Sequence, residues 1–427
     1  MPGAVTRVVV CGAGVAGSVL AGALAGRSDV ELSVIERAAD AGQLDAGTAL
    51  NVGPNGMQAL ATLSPALAAS VRAAAFDWTR WQVSLSDGTP LLDFPLSDIA
   101  GCAGIRIRWA SLYQVLREPI EPFIRYGTTI TGVQGIAEAT GDGIAGPLSI
   151  DIEGPQGARR IDGVDLLVAA EGRYSPLREQ LCGPLPVEHF GIAISRLLVR
   201  DTSGGLIDDY AQWFNGPHRL LAYRVPPDHV YIVSTFPLAP GEPIEPAMKM
   251  AEAIAARHRP AGRPMAPACT WLVDAMAAHV DAIHWARMQQ GPVCYRGAGG
   301  RLLVIGDAAD PLVPTLGQGA TQALEDGVAA AEFVRAMLDG AAGEGGGPKQ
   351  CTPLDVPALT ARIEAARSAR ATFAQRLSWE ASDTLLAGSD PVRDTLRKGE
   401  PAFRRSLQAL FSGSHLPSAE GTRPACR

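Results

Sequence analysis

Three acids in this 427-residue chain stand where short apolar runs end. Glu36 follows Glu31–Ile35, Glu171 follows Val164–Ala170, and Asp307 comes one glycine after Leu302–Ile305. Such runs read as buried strands. An acid at a strand's carboxyl end lies where open α/β sheets hold their ligands. Glu171 and Asp307 each adjoin a glycine, Gly172 and Gly306, where backbone can approach a bound group.

The first acid belongs to a longer pattern. Arg7–Cys11 is a β-branched strand, Gly12-Ala13-Gly14-Val15-Ala16-Gly17 follows, and the small residues of 18–26 read as a helix. This is G-x-G-x-x-G between a strand and a helix. Gly12 makes the tight turn, Gly14 admits a pyrophosphate, and Gly17 lets the helix pack on the strand. The helix start, with Ala16 in its first turn, offers free N–H groups to phosphates. Glu36 comes 24 positions after Gly12, close to where an acid binds ribose hydroxyls, which favours FAD or NAD over NADP. Arg37 either stacks on adenine, contacts a phosphate, or is a solvated arginine at a strand end.

Around Asp307 runs RLLVIGDAADPLVPTLGQGATQALED, residues 301–326. Pro311 and Pro314 stiffen the loop and remove two backbone donors. Gly317-Gln318-Gly319 lets backbone come close to something flat. An Ala-rich helix then begins near Ala320 and Thr321, its positive end foremost. Together these make a holder for a polar, potentially anionic ring.

Composition narrows the class. Hydrophobic residues are 47% and charged ones 19%, as in a globular protein with a large core, and the length predicts two domains. A net charge of −7 without basic blocks argues against nucleic-acid binding. Seven scattered cysteines, none in a CxxC pair, and unclustered histidines predict no disulfide framework and no metal. The first apolar run leads into the glycine turn, so no signal peptide is expected. No stretch nears the roughly 20 apolar residues of a membrane span. A cytoplasmic protein, monomer or homodimer, without nucleic-acid or membrane partners is expected.

The positioning elements follow in order. Trp78–Phe94 alternates as strands with a turn at Asp87-Gly88, Ile105–Leu116 leads into a helix with Arg108 at its start, and 126–152 reads as a small antiparallel sheet with a Gly-rich turn near 141–147. From His189 to Trp285 alternating strands dominate: Ile192–Val199, Ala211–Phe214, Arg219–Val225 and His229–Phe236. Ala358–Leu386 reads as one long helix and about 391–411 as a shorter one.

The motifs GAGVAG with Glu36-Arg37, DLLVAAEGRYSPLR (165–178) and LLVIGDAADPLVPTLGQG (302–319), in this order, resemble the para-hydroxybenzoate hydroxylase-like flavoproteins, single-component FAD-dependent aromatic hydroxylases. The resemblance covers most of residues 5–335. It implies an α/β fold: a Rossmann-like FAD-binding domain with an inserted, mostly antiparallel β substrate domain and C-terminal helices. The expected FAD-binding domain comprises residues 1–75, 99–186 and 288–340, and the substrate domain residues 76–98 and 187–287. A flexible loop is expected at 341–356, helices at 357–411 and a disordered tail at 412–427. Implied cofactor contacts are Gly12, Gly14, Ala16, Gly17, Glu36, Arg37, Arg108, Glu171 with Gly172 and Arg178, Asp307 on the ribityl chain, and Pro314, Gly317, Gly319, Ala320 and Thr321 near the flavin pyrimidine edge. Two positions depart from the family pattern: Glu171 stands where Asp is usual, and Asp310 where His is frequent.

The implied activity is monooxygenation: NADH or NADPH reduces FAD, O2 adds at flavin C4a, and one oxygen enters a small phenolic, amino-aromatic or hydroxypyridine-type ring. The other oxygen leaves as water. Candidates for removing a ring proton are Tyr223 and His218. Candidates for the pocket are Tyr210, Trp213, Tyr223 and Pro311, with Phe214 and Phe236 as further walls. Each aromatic also suits ordinary core, and His218 a plain loop. Arg219 and Arg224 could pair with a substrate carboxylate or simply face solvent. An epoxidase, N-hydroxylase or reductase on the same scaffold, or a flavin-binding redox sensor, are the competing readings.

Overall fold

The computed structural model describes residues 5–40, 48–136, 146–340 and 354–413. The expected loop at 341–356, the tail at 412–427 and the turn near 141–147 lie wholly or mostly outside them. The fold is mixed α/β. A six-stranded sheet carries, in spatial order, Arg296–Gly297, Leu302–Val304, Leu166–Ala169, Thr6–Cys11, Val30–Ile35 and Ile124–Arg125. All its pairings are parallel except the outermost, between Arg296–Gly297 and Leu302–Val304. Its strands are nearly continuous apolar runs because helices cover the sheet, as parallel sheets require. Register then does the positioning: Cys11 stands beside both Ile35 and Ala169, and Ala169 beside Val304. Gly12, Glu36, Ala170-Glu171 and Ile305-Gly306-Asp307 therefore leave the sheet along one edge.

A seven-stranded sheet is built from His284–Gln290, Glu188–Arg200, His229–Pro237, His218–Val225, Ala211–Asn215, Arg80–Leu85 and Pro90–Pro95. Its neighbours pair antiparallel, save for the parallel contact of Ala211–Asn215 with Arg80–Leu85. Side chains alternate across such a sheet. One face, with Leu220, Ala222, Val230 and Ile232, packs under helices Ala251–His258 and Pro267–Ala278 through Ile254, Leu272 and Met276. The other face, with Leu221, Tyr223, Tyr231 and Val233, shares a cluster with Trp78 and the C-terminal Leu385, Leu407 and Phe411. Two three-stranded antiparallel sheets complete the set.

The C-terminal region differs from its sequence reading. The long helix is Val356–Glu380, followed by a short turn at Asp383–Leu385. The shorter one is two helices, Pro391–Lys398 and Pro401–Ser412, because Pro401 cannot continue the preceding turn. Among the described residues no helix is long and apolar enough to cross a membrane.

Helix Gln318–Gly340 lies between Val15–Leu24 and Val356–Glu380. Gly327 permits the first contact, since a Cβ there would stand 2.8 Å from the Ala16 carbonyl and the Val19 side chain. The second contact is ionic. Arg367, fully buried, donates from Nε to Asp326 (2.7 Å), from Nη1 to Glu325 (2.7 Å) and from Nη2 to Gln322 (2.8 Å). Arg370 donates to the other Glu325 oxygen at 2.9 Å. Burial would raise Glu325, but Arg370 and Arg367 hold it at about 2. Arg367→Ala would leave buried Asp326 without its cation and Glu325 with Arg370 alone, and should lower unfolding free energy by about 3–5 kcal/mol in urea titration; a loss below about 1 kcal/mol would show that the cluster contributes little.

Candidate active site

One cavity of about 610 Å³ runs from the glycine turn to the seven-stranded sheet. At its near end lie Gly12, Gly14, Val15, Ala16, Glu36 and Arg37. Gly12 has φ +100°, and a Cβ there would meet the Ala170 carbonyl at 2.4 Å, so the turn demands glycine. Gly17 does not line the cavity; its Cβ would meet the Gly12 carbonyl at 2.1 Å, so its part is close packing of helix on turn. Gly14 is different: a Cβ there meets only the Ala170 carbonyl, at 3.7 Å, and its bulk would fill cavity space. Helix Val15–Leu24 has no side-chain N-cap and no acid in its first turn. Its free N–H groups and positive end face the cavity.

Glu36 is held in place by its own motif. Ala13 N–H donates to Oε2 and Ala38 N–H to Oε1, both at 2.9 Å. A carboxylate has about four acceptor sites, so capacity remains for a sugar hydroxyl. Arg117 also reaches Oε2, at 3.3 Å, and donates from Nε to the Ala13 carbonyl at 2.7 Å. Sequence reading put Arg108 here. Arg108 ends a strand before helix Trp109–Arg117 and does not line the cavity. Trp109, Tyr113 and Arg117 do, and their spacing of four residues on one helical face was the available signal.

The middle of the cavity brings in Glu171, Gly172, Arg173, Gly306, Asp307, Gly317, Gly319 and Ala320. The Glu171 carboxylate accepts from Ser175 Oγ (2.6 Å) and Leu177 N–H (3.1 Å), capping helix Pro176–Cys182. Arg178 is buried behind the wall and donates to the Ala308 carbonyl at 2.9 Å, joining the middle motif to the Asp307 turn. That turn is anchored from below, where Gly306 N–H donates to Asp326 Oδ2 at 2.8 Å. Burial raises Asp307 from its ordinary value, against the lowering effect of Arg173. Asp310, expected to add charge by the loop, does not line the cavity: it is buried, accepts from Gln375, and burial pushes it well above its ordinary value. Thr321 is likewise behind the wall, accepting from Gly53 N–H and donating to the Gly317 carbonyl. Helix Gln318–Gly340 has no acid in its first turn, so a second positive helix end meets the cavity at Gly319 and Ala320.

At the far end stand Tyr210, Tyr223 and Tyr231, with Leu221, Val233, Ile194, Leu312 and Pro314. Tyr223 lies between the other two, its ring centroid 5.8 Å from Tyr210 and 5.2 Å from Tyr231. Burial lifts Tyr210 to about 12 and Tyr223 well above the usual phenol value. Burial thus favours Tyr223 as a hydrogen-bond donor over its expected role as a base.

His218, Trp213 and Pro311 are corrected by position. His218 alternates with Arg219 and falls on the helix-covered face, where its ring lies 6.4 Å from His258. Trp213 packs on that same face. Pro311 abuts Gly291 instead of the cavity. Asn51, Arg173, Arg196 and Tyr231 are cavity residues that sequence reading missed. Arg196 and Tyr231 lie on strands that alternation identifies, but choosing their face required the partner helices.

The residues present fit FAD. Gly14 leaves a cradle that any side chain would fill, the uncapped start of helix Val15–Leu24 and the acid-free start of helix Gln318–Gly340 supply N–H donors, and the buried Nη1 of Arg117 and Nδ2 of Asn51 lack partners among the described residues.

No protein-family model matches the chain. It is 31% identical over 360 residues to the 3-amino-4-hydroxybenzoate 2-monooxygenase PtmB3 of Streptomyces platensis, covering 80% of this chain and 81% of that one. It is 25% identical to the 6-hydroxynicotinate 3-monooxygenase of Pseudomonas fluorescens, over 77% and 82% of the two chains. Klebsiella pneumoniae HpxO, solved with FAD and uric acid, superposes with a TM-score of 0.71 at 21% identity, over 94% and 92% of the chains. Fold and site define a flavoprotein oxidoreductase. The chain belongs to the FAD-dependent aromatic hydroxylase family of flavoprotein monooxygenases.

Gly14→Val should lower FAD affinity at least about tenfold, read by fluorescence titration of the apoprotein, because a buried side chain would occupy ligand space. An unchanged affinity would remove the cradle from the cofactor site.

Proposed function

We propose that this enzyme hydroxylates a small electron-rich aromatic or heteroaromatic ring, with NADH or NADPH as reductant and O2 as oxidant. The observation that carries this reading is the single cavity joining the glycine turn to the tyrosine face of the second sheet. FAD, when bound and reduced, activates O2 and supplies the oxygen atom that enters the ring. The chain's own part is binding and placement. Gly14 and the helix start beside it would hold the pyrophosphate, and Glu36 a ribose. Asp307 would accept from the ribityl chain, and N–H groups near Gly319 would face the electron-rich edge of the flavin. Leu221, Val233, Ile194 and Leu312 would pack the ring and keep out water. The phenols of Tyr210, Tyr223 and Tyr231 would donate hydrogen bonds to ring oxygens or nitrogens.

The named substrates of the relatives, an aminohydroxybenzoate and a hydroxynicotinate, support a ring of this size and polarity. The same reading divides the chain into an FAD-binding part, residues 1–75, 99–186 and 288–340, and a substrate part, residues 76–98 and 187–287. Sheet membership supports the division, apart from Phe76–Trp78, which pairs with Gly104–Arg108, and residues 288–290, which continue a strand of the seven-stranded sheet.

Anaerobic stopped-flow reduction by NADH and by NADPH, with a panel of hydroxylated and aminated ring acids, tests the reading. One panel member should accelerate bleaching of the flavin band and, on admission of 18O2, gain one labelled oxygen. Bleaching unaffected by every ring, or label found only in peroxide and water, would sink it. Tyr223→Phe should weaken binding of that ring about three- to tenfold through one lost hydrogen bond. The pH profile of product formation should stay unmoved; a shifted limb would restore Tyr223 as a base.

A further inference from the structure

Two cysteines far apart in sequence lie against one peptide unit at the edge of the six-stranded sheet. Cys182 closes helix Pro176–Cys182, and Cys294 lies two residues before strand Arg296–Gly297. A Cβ on Gly297 would collide with Cys182 Sγ, so that sulfur fills the space a side chain there would take. Ala298 N–H donates to the same sulfur. Cys294 Sγ donates to the Arg296 carbonyl at 3.3 Å. The peptide joining Arg296 to Gly297 therefore has one sulfur at its carbonyl oxygen and the other at its following Cα.

The thiols also act on each other. Burial raises Cys182 above its ordinary value, Cys294 raises it further, and Ala298 N–H and the Arg178 cation draw it back. A raised thiol reacts slowly at neutral pH, but exposure decides which thiol an oxidant in solution meets first. Among the described residues Cys182 is the exposed cysteine, Cys11 and Cys269 are buried, and Cys102 and Cys294 are half-buried. Both elements hold the Asp307 turn. Arg178, on the helix of Cys182, donates to the Ala308 carbonyl, and Cys294 N–H donates to the Ala309 carbonyl at 2.8 Å.

Hydrogen peroxide converts an exposed thiol to a sulfenic acid, Cys–SOH, and releases one water. A second thiol within reach attacks that sulfur: the S–O bond breaks, the S–S bond forms, and a second water leaves. Two thiols thus give up two electrons, and one peroxide is reduced to two waters. We propose that Cys182 and Cys294 are such a pair, closed by hydrogen peroxide into a reversible disulfide, with Cys182 as the first target. The bond ties helix Pro176–Cys182, which Glu171 caps, to the sheet edge beside the Asp307 turn. The site stands apart from the monooxygenase reading. On that reading peroxide is also what O2 becomes when no ring takes its oxygen, so the oxidant can arise at the protein itself.

Peptide mapping tests the pair. The FAD-loaded protein is treated with excess hydrogen peroxide, its remaining thiols are alkylated, and it is digested with trypsin. Peptides 179–196 and 288–296 carry the two cysteines. They should appear joined, lighter than their sum by the two hydrogens lost, and dithiothreitol should part them. Cys294→Ser should leave the sulfenic acid of Cys182 without a partner, so that it passes on to the sulfinic acid, which dithiothreitol does not reverse. Cys182→Ser should leave Cys294 open to alkylation at the same peroxide dose. In the wild type, both thiols still free, Cys182 recovered as sulfinic acid, or Cys182 linked to any other cysteine overturns the proposal. So does Cys294→Ser protein whose Cys182 still returns fully to the thiol. If a serine variant fails to fold, the wild-type map decides alone. Because the peroxide is added, the result is independent of turnover, and a failed hydroxylation assay leaves it untouched.

Discussion

Much of the candidate site rests on the buried ion cluster around Arg367. Glu325 and Asp326 are consecutive on helix Gln318–Gly340, and both accept from Arg367. Asp326 also accepts from Gly306 N–H and from Tyr295, while Glu325 accepts from Asn55 and Arg370. The Asp307 turn, helix Pro54–Leu63, helix Gln318–Gly340 and helix Val356–Glu380 are thus joined through two adjacent carboxylates. Two guanidiniums against two carboxylates make the cluster neutral overall, which is what allows it to be dry. Its geometry explains how a helix some 40 residues distant in sequence, Val356–Glu380, stabilises a turn at the cavity wall.

Above that support, register in the parallel sheet does the rest for the cofactor end. Four strands finish in one row, and each is followed by a glycine, an acid or both. Two helices begin there without acids in their first turns, so positive helix ends and carboxylates alternate around one space. Glu171 shows how a small change is absorbed. Its carboxylate caps helix Pro176–Cys182 through Ser175 and Leu177, so the residue serves the fold while its body lines the cavity.

The two ends of the cavity differ in chemistry. Acids, arginines and positive helix ends meet at the cofactor end, whereas the far end holds the phenols of Tyr210, Tyr223 and Tyr231 beside Arg196 and Arg219. A dinucleotide with sugar hydroxyls and phosphates suits the first, and a flat aromatic ring suits the second. The sheet between these functions is two-sided: one face packs against helices, and the other meets the cavity and the C-terminal cluster of Leu385, Leu407 and Phe411.

The glycine turn, the three strand-end acids and the order of the motifs were legible in the sequence because each depends on neighbours only a few residues away. Gly12 needs a positive φ, Glu36 closes its own strand, and helix follows strand at a fixed distance. The choice of Tyr223 and Tyr210 over Trp213 and His218 was not legible. Alternation divides a strand into two faces but does not say which one helices will cover. Nor could Arg117 be preferred to Arg108 until helix Trp109–Arg117 was laid against Ala13 and Glu36. Arg367, Arg219 and Asp310 were undecidable for the same reason. Whether a charge is paired, unpaired or buried depends on groups tens to hundreds of residues away, and only the folded chain brings them within hydrogen-bond reach.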